Sequence, residues 1–323
     1  MPGPAGRPLF VCWTRGHARS TALAAALDAE ILFVADAILR PVSSPLRYLR
    51  STWRTWRAVR RSAPASLIVM VPPTPAAVTG WLLARRRGIP LVLDLHTGAV
   101  NDPKWTWSWP AVRAVARRAR LTVVTTERLA EHLRAQGIRV SAVHDPPLAA
   151  TPAGRAHARP TVVVAAGWNN DEPVAALADA ARRLDGIRIL VTGAPPPAAR
   201  DALAGLVELT GWLAEPDYLA QIAGADVVVA LTTRELTMQR GGYEALDCHR
   251  PLVTSDTAVL RDFFGPAAVY TTADGAGIAA AVTEALRRPA ELSAAMAALH
   301  AERLAAWPGE LAALTAALSG RDR

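Results

Sequence analysis

Between Val227 and Asp256 lie the residues best equipped for chemistry: Arg234, Glu235, Arg240, the pair Gly241-Gly242, and Glu244. An arginine beside two glycines at the start of a helix suits a phosphate. The N–H groups of the first turn and the positive end of the helix dipole point at the anion, glycine lets the backbone come close, and the guanidinium adds a full charge. Glu235 and Glu244, with eight residues between them, cannot answer phosphate in that way. Carboxylates accept hydrogen bonds from hydroxyls and so suit sugars, one from the loop and one from the first helical turn. Together these residues fit a nucleotide diphosphate sugar. The same residues admit a plainer reading, with a glutamate serving the helix dipole and glycines serving the loop.

A second constellation closes the run Pro90–Leu95, where Asp94-Leu95-His96-Thr97-Gly98 follows an apolar stretch. Side chains alternate along a strand, so Asp94 and His96 project to one side at its carboxyl end and are the candidate bases. An aspartate capping the next turn and a histidine filling a loop is the alternative. Near the first strand, Arg15 and Arg19 flank Gly16 ahead of an alanine-rich helix. They could meet phosphate, and facing water is the favoured reading; in the family resemblance given below this is the glycine-rich loop, with Gly16 near the donor phosphates and Arg15 and Arg19 on the acceptor side. Between Asn101 and Trp109, tryptophan recurs at Trp105, Trp107 and Trp109. Packing at the core or domain edge is the ordinary use of such residues, and Trp105 and Trp107 as an aromatic platform for an apolar acceptor is the functional one.

The elements that must position these groups follow from the hydrophobic pattern. Strands are expected at Leu9–Trp13, Glu30–Val34, Leu67–Val71, Pro90–Leu95, Leu121–Thr125 and Val140–His144, with helices between most of them. Asp145-Pro146-Pro147 opens a proline-rich stretch through Pro160 that regular structure cannot occupy. The pattern then restarts, with strands at Thr161–Ala166, Ile187–Thr192, Val207–Thr210, Asp226–Leu231, Pro251–Thr254 and Ala268–Thr271. Helices are expected at Ala276–Arg287 and Ala290–Leu318. Runs such as LIVMV and LVLDL suit parallel sheets covered on both faces. The fold class is α/β, two doubly wound Rossmann-like domains facing a cleft. The expected divisions are a first domain over residues 1–147, a linker over 148–160 and a second domain over 161–323, which in the family resemblance given below are the acceptor-side and the donor domain.

At 323 residues and 51% hydrophobic content, the chain can bury two cores. Charge separates the halves: residues 1–150 hold 21 basic against 8 acidic residues and the remainder 15 against 20, within a net of +8. That asymmetry points to different partners for the two halves. Arg47, Arg50, Arg54, Arg57 and Arg61 form one helical stripe, with Leu49, Trp53, Trp56 and Val59 on the other side. Such a stripe meets an anionic membrane surface or a phosphate-bearing acceptor, or else the helix buries its Trp face and solvates its Arg face. Nucleic acid is not expected, since no helix-turn-helix, zinc or RNP signature is present. Cys12 and Cys248, far apart, give neither a disulfide framework nor a metal site, which favours a reducing cytoplasm. No apolar run reaches the roughly 18 residues of a membrane span, and the opening decapeptide lacks a signal-peptide core.

The Val227–Asp256 segment resembles the donor-site signature of glycosyltransferase family 4, the retaining glycogen-synthase-like branch of the GT-B superfamily. The residues that carry the resemblance are Glu235, Gly241-Gly242, Glu244-Ala245 and His249-Arg250-Pro251-Leu252. The family usually places seven residues between the glutamates, against eight here. The resemblance implies that Glu244 and Glu235 hold the donor, that His96 touches the donor sugar, and that Arg240 carries the diphosphate's charge. That work is shared with Arg234, because the arginine and lysine expected after the first strand of the second domain are absent. It also implies that the turns at Gly193 and at Gly211-Trp212-Leu213 serve the donor, the latter lining the base pocket. A last helix that returns to the first domain, no cofactor beyond the donor, and no bound metal complete the expectation. The acceptor would be a cell-envelope glycan, a lipid-linked molecule or a secondary metabolite. The rival readings are a GT-B nucleotide-sugar epimerase and a non-catalytic, membrane-docked subunit.

Overall fold

The computed structural model describes residues 6–34, 44–155 and 157–319. The first five residues of the N-terminal decapeptide, residue 156 of the proline-rich stretch and the last four residues of the chain lie outside them. Two compact units divide the chain: Met1–Pro146 with Trp307–Arg323, and Pro147–Ala306. Every expected strand is present to within two residues at either end.

The first unit contains β1 (Leu9–Cys12), β2 (Glu30–Phe33), β3 (Leu67–Val71), β4 (Leu91–Leu95), β5 (Leu121–Val124) and β6 (Val140–Ala142). They pair in the order β2-β1-β3-β4-β5-β6, all parallel. β3 and β4 are buried along their whole length, as a sheet covered on both faces requires. The order of strands reverses between β1 and β3, and in open α/β sheets ligands bind outside the carboxyl ends of strands at such a switch point. Leu314 and Leu318, from the last helix Pro289–Ser319, sit in this unit's core with Phe10, Leu23 and Val92.

In the second unit, β7 (Thr161–Val164), β8 (Arg188–Thr192), β9 (Glu208–Gly211), β10 (Val227–Ala230), β11 (Leu252–Ser255) and β12 (Ala268–Thr271) pair in the order β12-β11-β10-β7-β8-β9. Alternate residues of one strand enter different cores: Val162 and Val164 lie with Ile278 and Val282, while Val163 lies with Leu246 and Phe264. This is the dinucleotide-binding strand order, and its switch point falls between β7 and β10.

The basic helix runs from Ser44 to Ser62, and its packed face is not the one expected. Ser51, Thr55 and Val59, four residues apart, are buried, whereas Leu49, Trp53 and Trp56 are 65%, 53% and 40% exposed. Burial of the Trp face is therefore incorrect. Small hydroxyl residues let the helix lie close on its unit, with Thr55 Oγ1 donating to the Ser51 carbonyl and accepting from Trp13 Nε1. The tryptophans stay outside under arginines, Arg57 over the Trp53 ring at 5.3 Å and Arg60 over Trp56 at 4.8 Å.

Candidate active site

β4 brings Asp94 and His96 to the same place, as alternation predicts. His96 Nε2 lies 3.2 Å from Asp94 Oδ2. Asp94 is almost wholly buried, and its other oxygen faces Arg19, whose Nε and Nη2 are both at 3.4 Å. Arg19 also donates to Asp145 Oδ1 and to the Val143 carbonyl, each at 2.8 Å. The expectation that Arg19 faces water is thus wrong: it is 3% exposed, on the helix Ala18–Ala26, and its guanidinium joins the ends of β4 and β6. Burial alone would raise the Asp94 carboxyl, but Arg19 and then His96 hold it well below the usual carboxylate range. A buried carboxylate whose charged form Arg19 stabilises is a weaker base than a free one. Its geometry suits an orienting role, the carboxylate accepting from His96 Nε2.

His17 belongs to no motif of the sequence. It caps the helix Ala18–Ala26, its Nδ1 accepting from the Ser20 N–H, and its ring meets His96 edge-on at 4.8 Å. Burial, and then the neighbouring His96, push its pKa down to about 4. The signal available was its position one residue before an alanine-rich helix. Gly16 is exposed with open space at its Cβ position, so packing does not demand glycine there.

Arg15 lines a cavity of about 370 Å³ at the switch point of the first sheet. Arg47, Lys104, Trp13, Tyr48 and Trp105 share its wall. Trp107 is not in it: that ring is 78% exposed, its Nε1 donating to the Lys104 carbonyl, so neither packing nor a shared platform with Trp105 describes it.

In the second unit the helix Arg240–Asp247 follows β10 after a loop. Gly241 and Gly242 lie inside this helix and are buried, and their purpose is packing. A Cβ on Gly241 would stand 2.4 Å from Ala165 Cβ, and one on Gly242 2.9 Å from Phe264 Cζ. What the glycines admit is the end of β7 and a neighbouring helix, rather than a ligand. Glu244 is in the second turn, not the first, and its side chain is 8% exposed. Its Oε1 accepts from Arg240 Nε at 2.8 Å, and its Oε2 accepts from the Tyr218 hydroxyl. Burial, and then the adjacent carboxylate, hold the Tyr218 phenol well above its ordinary pKa, so it stays a donor. Arg240 also approaches Glu215 at 3.9 Å and remains 42% exposed.

Two loops meet at the second switch point. Thr232 Oγ1 donates to Asp171 Oδ2 at 2.5 Å, the Thr233 N–H donates to the Asp171 carbonyl at 2.8 Å, and Arg234 engages Asp171 at 3.6 Å and Asn170. Arg234 thereby braces the two loops. Glu235 is exposed, next to Leu236 at a φ of 61°. The loop after β7, where the family's arginine and lysine are missing, turns its N–H groups onto its own carboxylate. Gly167, Trp168 and Asn169 donate to Glu172 at 3.0, 3.0 and 3.2 Å. Burial raises the Glu172 carboxyl against the pull of these donors.

Gly193 and Gly211 both adopt left-handed backbone and bridge one another, as strand-end turns do. A Cβ on Gly193 would meet the Ala166 carbonyl at 2.6 Å. Trp212 is 78% exposed, while Leu213 lines a separate cavity of about 210 Å³ with Arg155 and Arg188. Among the described residues no group of three or more His, Cys, Asp or Glu could hold a metal ion.

Comparison with known proteins places this geometry. Residues 10–148 match the model of a glycosyl transferase 4-like domain, and residues 159–288 that of glycosyl transferases group 1. No curated protein matches the chain significantly. Among solved structures, Anabaena HepE in complex with UDP and glucose is similar with a TM-score of 0.71 at 13% identity, over 98% of this chain and 100% of that one. Sucrose-phosphate synthase from Thermosynechococcus elongatus is similar with a TM-score of 0.75 at 13% identity, over 95% and 97%. The lipopolysaccharide outer core galactosyltransferase WaaB in apo form is similar with a TM-score of 0.63 at 14% identity, over 96% and 98%. At such identities the structures speak for the fold, and the two domain models between them take in most of both units: the chain is a GT-B glycosyltransferase of the family 4-like type.

Proposed function

We propose that this enzyme transfers a glycosyl group from a nucleotide diphosphate sugar to an acceptor hydroxyl with retention of configuration, and that protein groups rather than a protein-bound metal meet the charge of the leaving diphosphate. The observation that carries this reading is the 2.8 Å bond between Arg240 Nε and Glu244 Oε1 in the first turns of the helix after the switch-point strand β10. It fixes a cation and a carboxylate side by side, at the position where a Rossmann-like domain binds its nucleotide. Glu244, held by Arg240 and Tyr218, accepts the ribose hydroxyls through its remaining lone pairs. Glu235 and the left-handed turn beside it meet the sugar, and the turn at Gly211-Trp212-Leu213 meets the base. HepE complexes with UDP and with UDP-glucose support the donor class.

In the step itself the acceptor oxygen bonds to the anomeric carbon while the bond from that carbon to the β-phosphate oxygen breaks. The acceptor's proton passes to the departing phosphate oxygen on the same face. Arg240 and the N–H groups at the start of its helix stabilise the negative charge that develops there.

The acceptor is proposed to be lipid-linked, with the enzyme peripheral at the cytoplasmic face of a membrane. The helix Ser44–Ser62 supports this, with its arginines and exposed Leu46, Leu49, Trp53 and Trp56. No described helix is long and apolar enough to cross a membrane. NMR of the first-formed product tests the mechanism, and the donor's anomeric configuration is the expected outcome. An inverted centre would move the base to His96 and contradict the reading.

A further inference from the structure

A cavity opens at the switch point of the first sheet. Its described wall carries three cations, Arg15, Arg47 and Lys104, and no carboxylate. Like charges crowded around one concavity repel each other and are relieved by an anion, which the low-dielectric walls also attract. The aromatic wall is built. Trp13 donates through Nε1 to Thr55 at 3.0 Å, and its ring stacks on Tyr48 with centroids 6.1 Å apart. Two of the cations rest on aromatic faces, Lys104 Nζ 5.2 Å from the Trp105 ring and Arg47 Cζ 5.1 Å from Tyr48. About 370 Å³ is far more than a bare phosphate fills, so the aromatic faces have room for a body behind the anion.

The helix Ser44–Ser62 joins this cavity to the exposed face already described. Arg47, Tyr48 and Ser51 line the cavity, and the spacing of the helix sets Arg50, Arg54 and Arg57 between them and the outer ridge of Leu46, Leu49, Trp53 and Trp56. An anion held in the cavity is thus linked by a band of arginines to an apolar ridge.

We propose that this cavity is the acceptor's anion subsite and takes a phosphoryl group borne on a body with an apolar face. Arg15, Arg47 and Lys104 meet the phosphoryl oxygens, and Trp13, Tyr48 and Trp105 meet the body. The inference rests on the proposed glycosyl transfer for the word acceptor, and on this cavity alone for the ligand class.

Glycerol 3-phosphate is the soluble probe, titrated into the full chain with and without saturating UDP, with melting temperature as the readout. Saturating UDP keeps the donor site from taking the phosphate. The wild type is expected to bind the probe, the double variant Arg15→Gln/Lys104→Gln to bind it at least tenfold more weakly, and Arg15→Lys/Lys104→Arg to recover binding. All three should keep the same response to UDP. Undiminished probe affinity in the Gln variant, or no binding by the wild type, overturns the proposal. Loss of the UDP response alone, with probe binding intact, would sink the donor reading and leave this one standing. Vesicles of phosphatidylcholine carrying phosphatidic acid, compared at equal charge with phosphatidylglycerol, separate the sources of the phosphoryl group. A preference for phosphatidic acid that the Gln variant loses assigns it to a lipid headgroup, and equal binding with the soluble probe retained assigns it to a free phosphate ester.

Discussion

At the scale of single residues the first unit is organised by one buried guanidinium. Arg19 closes Asp94, Asp145 and the Val143 carbonyl into a network, and partners so far apart in sequence give no local pattern to read. An arginine in an alanine-rich helix looks solvated until its carboxylates are known, whereas Asp94 and His96 were legible because strand alternation is local. His17 gives this network a measurable consequence. Its folded pKa of about 4 lies below the unfolded value near 6.5, so the unfolded chain binds the extra proton. The contribution is fully present above pH 6.5 and is lost as pH falls towards 4. The folded state should lose about 2 kcal/mol on going from pH 8 to pH 5 through this group. His17→Asn, which can still cap the helix, should remove that part of the pH dependence in urea titrations. A variant with the same pH profile as the wild type would mean that His17 protonates as easily when folded as when unfolded. The thiols add nothing to this range, because burial pushes both Cys12 and Cys248 up to about 12.

At the scale of elements, a glycine pair at a helix start announces a close approach without naming what approaches. Here Ala165, Ala230 and Phe264 take the space. Gly241→Ala should therefore destabilise the protein by about 2 kcal/mol, although alanine is the better helix former by about 1 kcal/mol, because its methyl would overpack the end of β7. Urea unfolding checks the sign, and a stabilised variant would contradict the packing role. The helix Ser44–Ser62 misled in the opposite sense: tryptophan at helical spacing suggests a buried face, but the packed face is Ser51, Thr55 and Val59. Its exposed arginines are expected to contribute about 1 kcal/mol each to binding anionic vesicles, so Arg50→Gln/Arg54→Gln should weaken sedimentation with them by about 2 kcal/mol at low salt. A wild type that stays in the supernatant would end the membrane reading.

At the scale of the whole molecule, both parallel sheets were legible, since apolar runs, alternation with helices and a proline-rich interruption are properties of the chain itself. The strand orders were not, because nothing local says on which side of β1 or β7 the next strand is added. Those orders fix the two switch points, and each gathers what the sequence left scattered: a cation-lined cavity in the first unit, and Arg240, Glu244 and the braced loops in the second. Glu235 and Glu244 stand out through a spacing that resembles a family, while the hydrogen bonds of Tyr218 and Glu172 follow from no local pattern.

The proposed donor site rests on Arg240 and Glu244 of the second unit, and calorimetric titration of UDP, GDP and ADP into the wild type, Arg240→Ala and Glu244→Ala measures it. At least one nucleotide should bind the wild type, and each substitution should cost about 2–3 kcal/mol of its binding free energy, as lost charged hydrogen bonds do, with the fold retained. A folded wild type that binds none of the three, or variants that bind as tightly as the wild type, would contradict it.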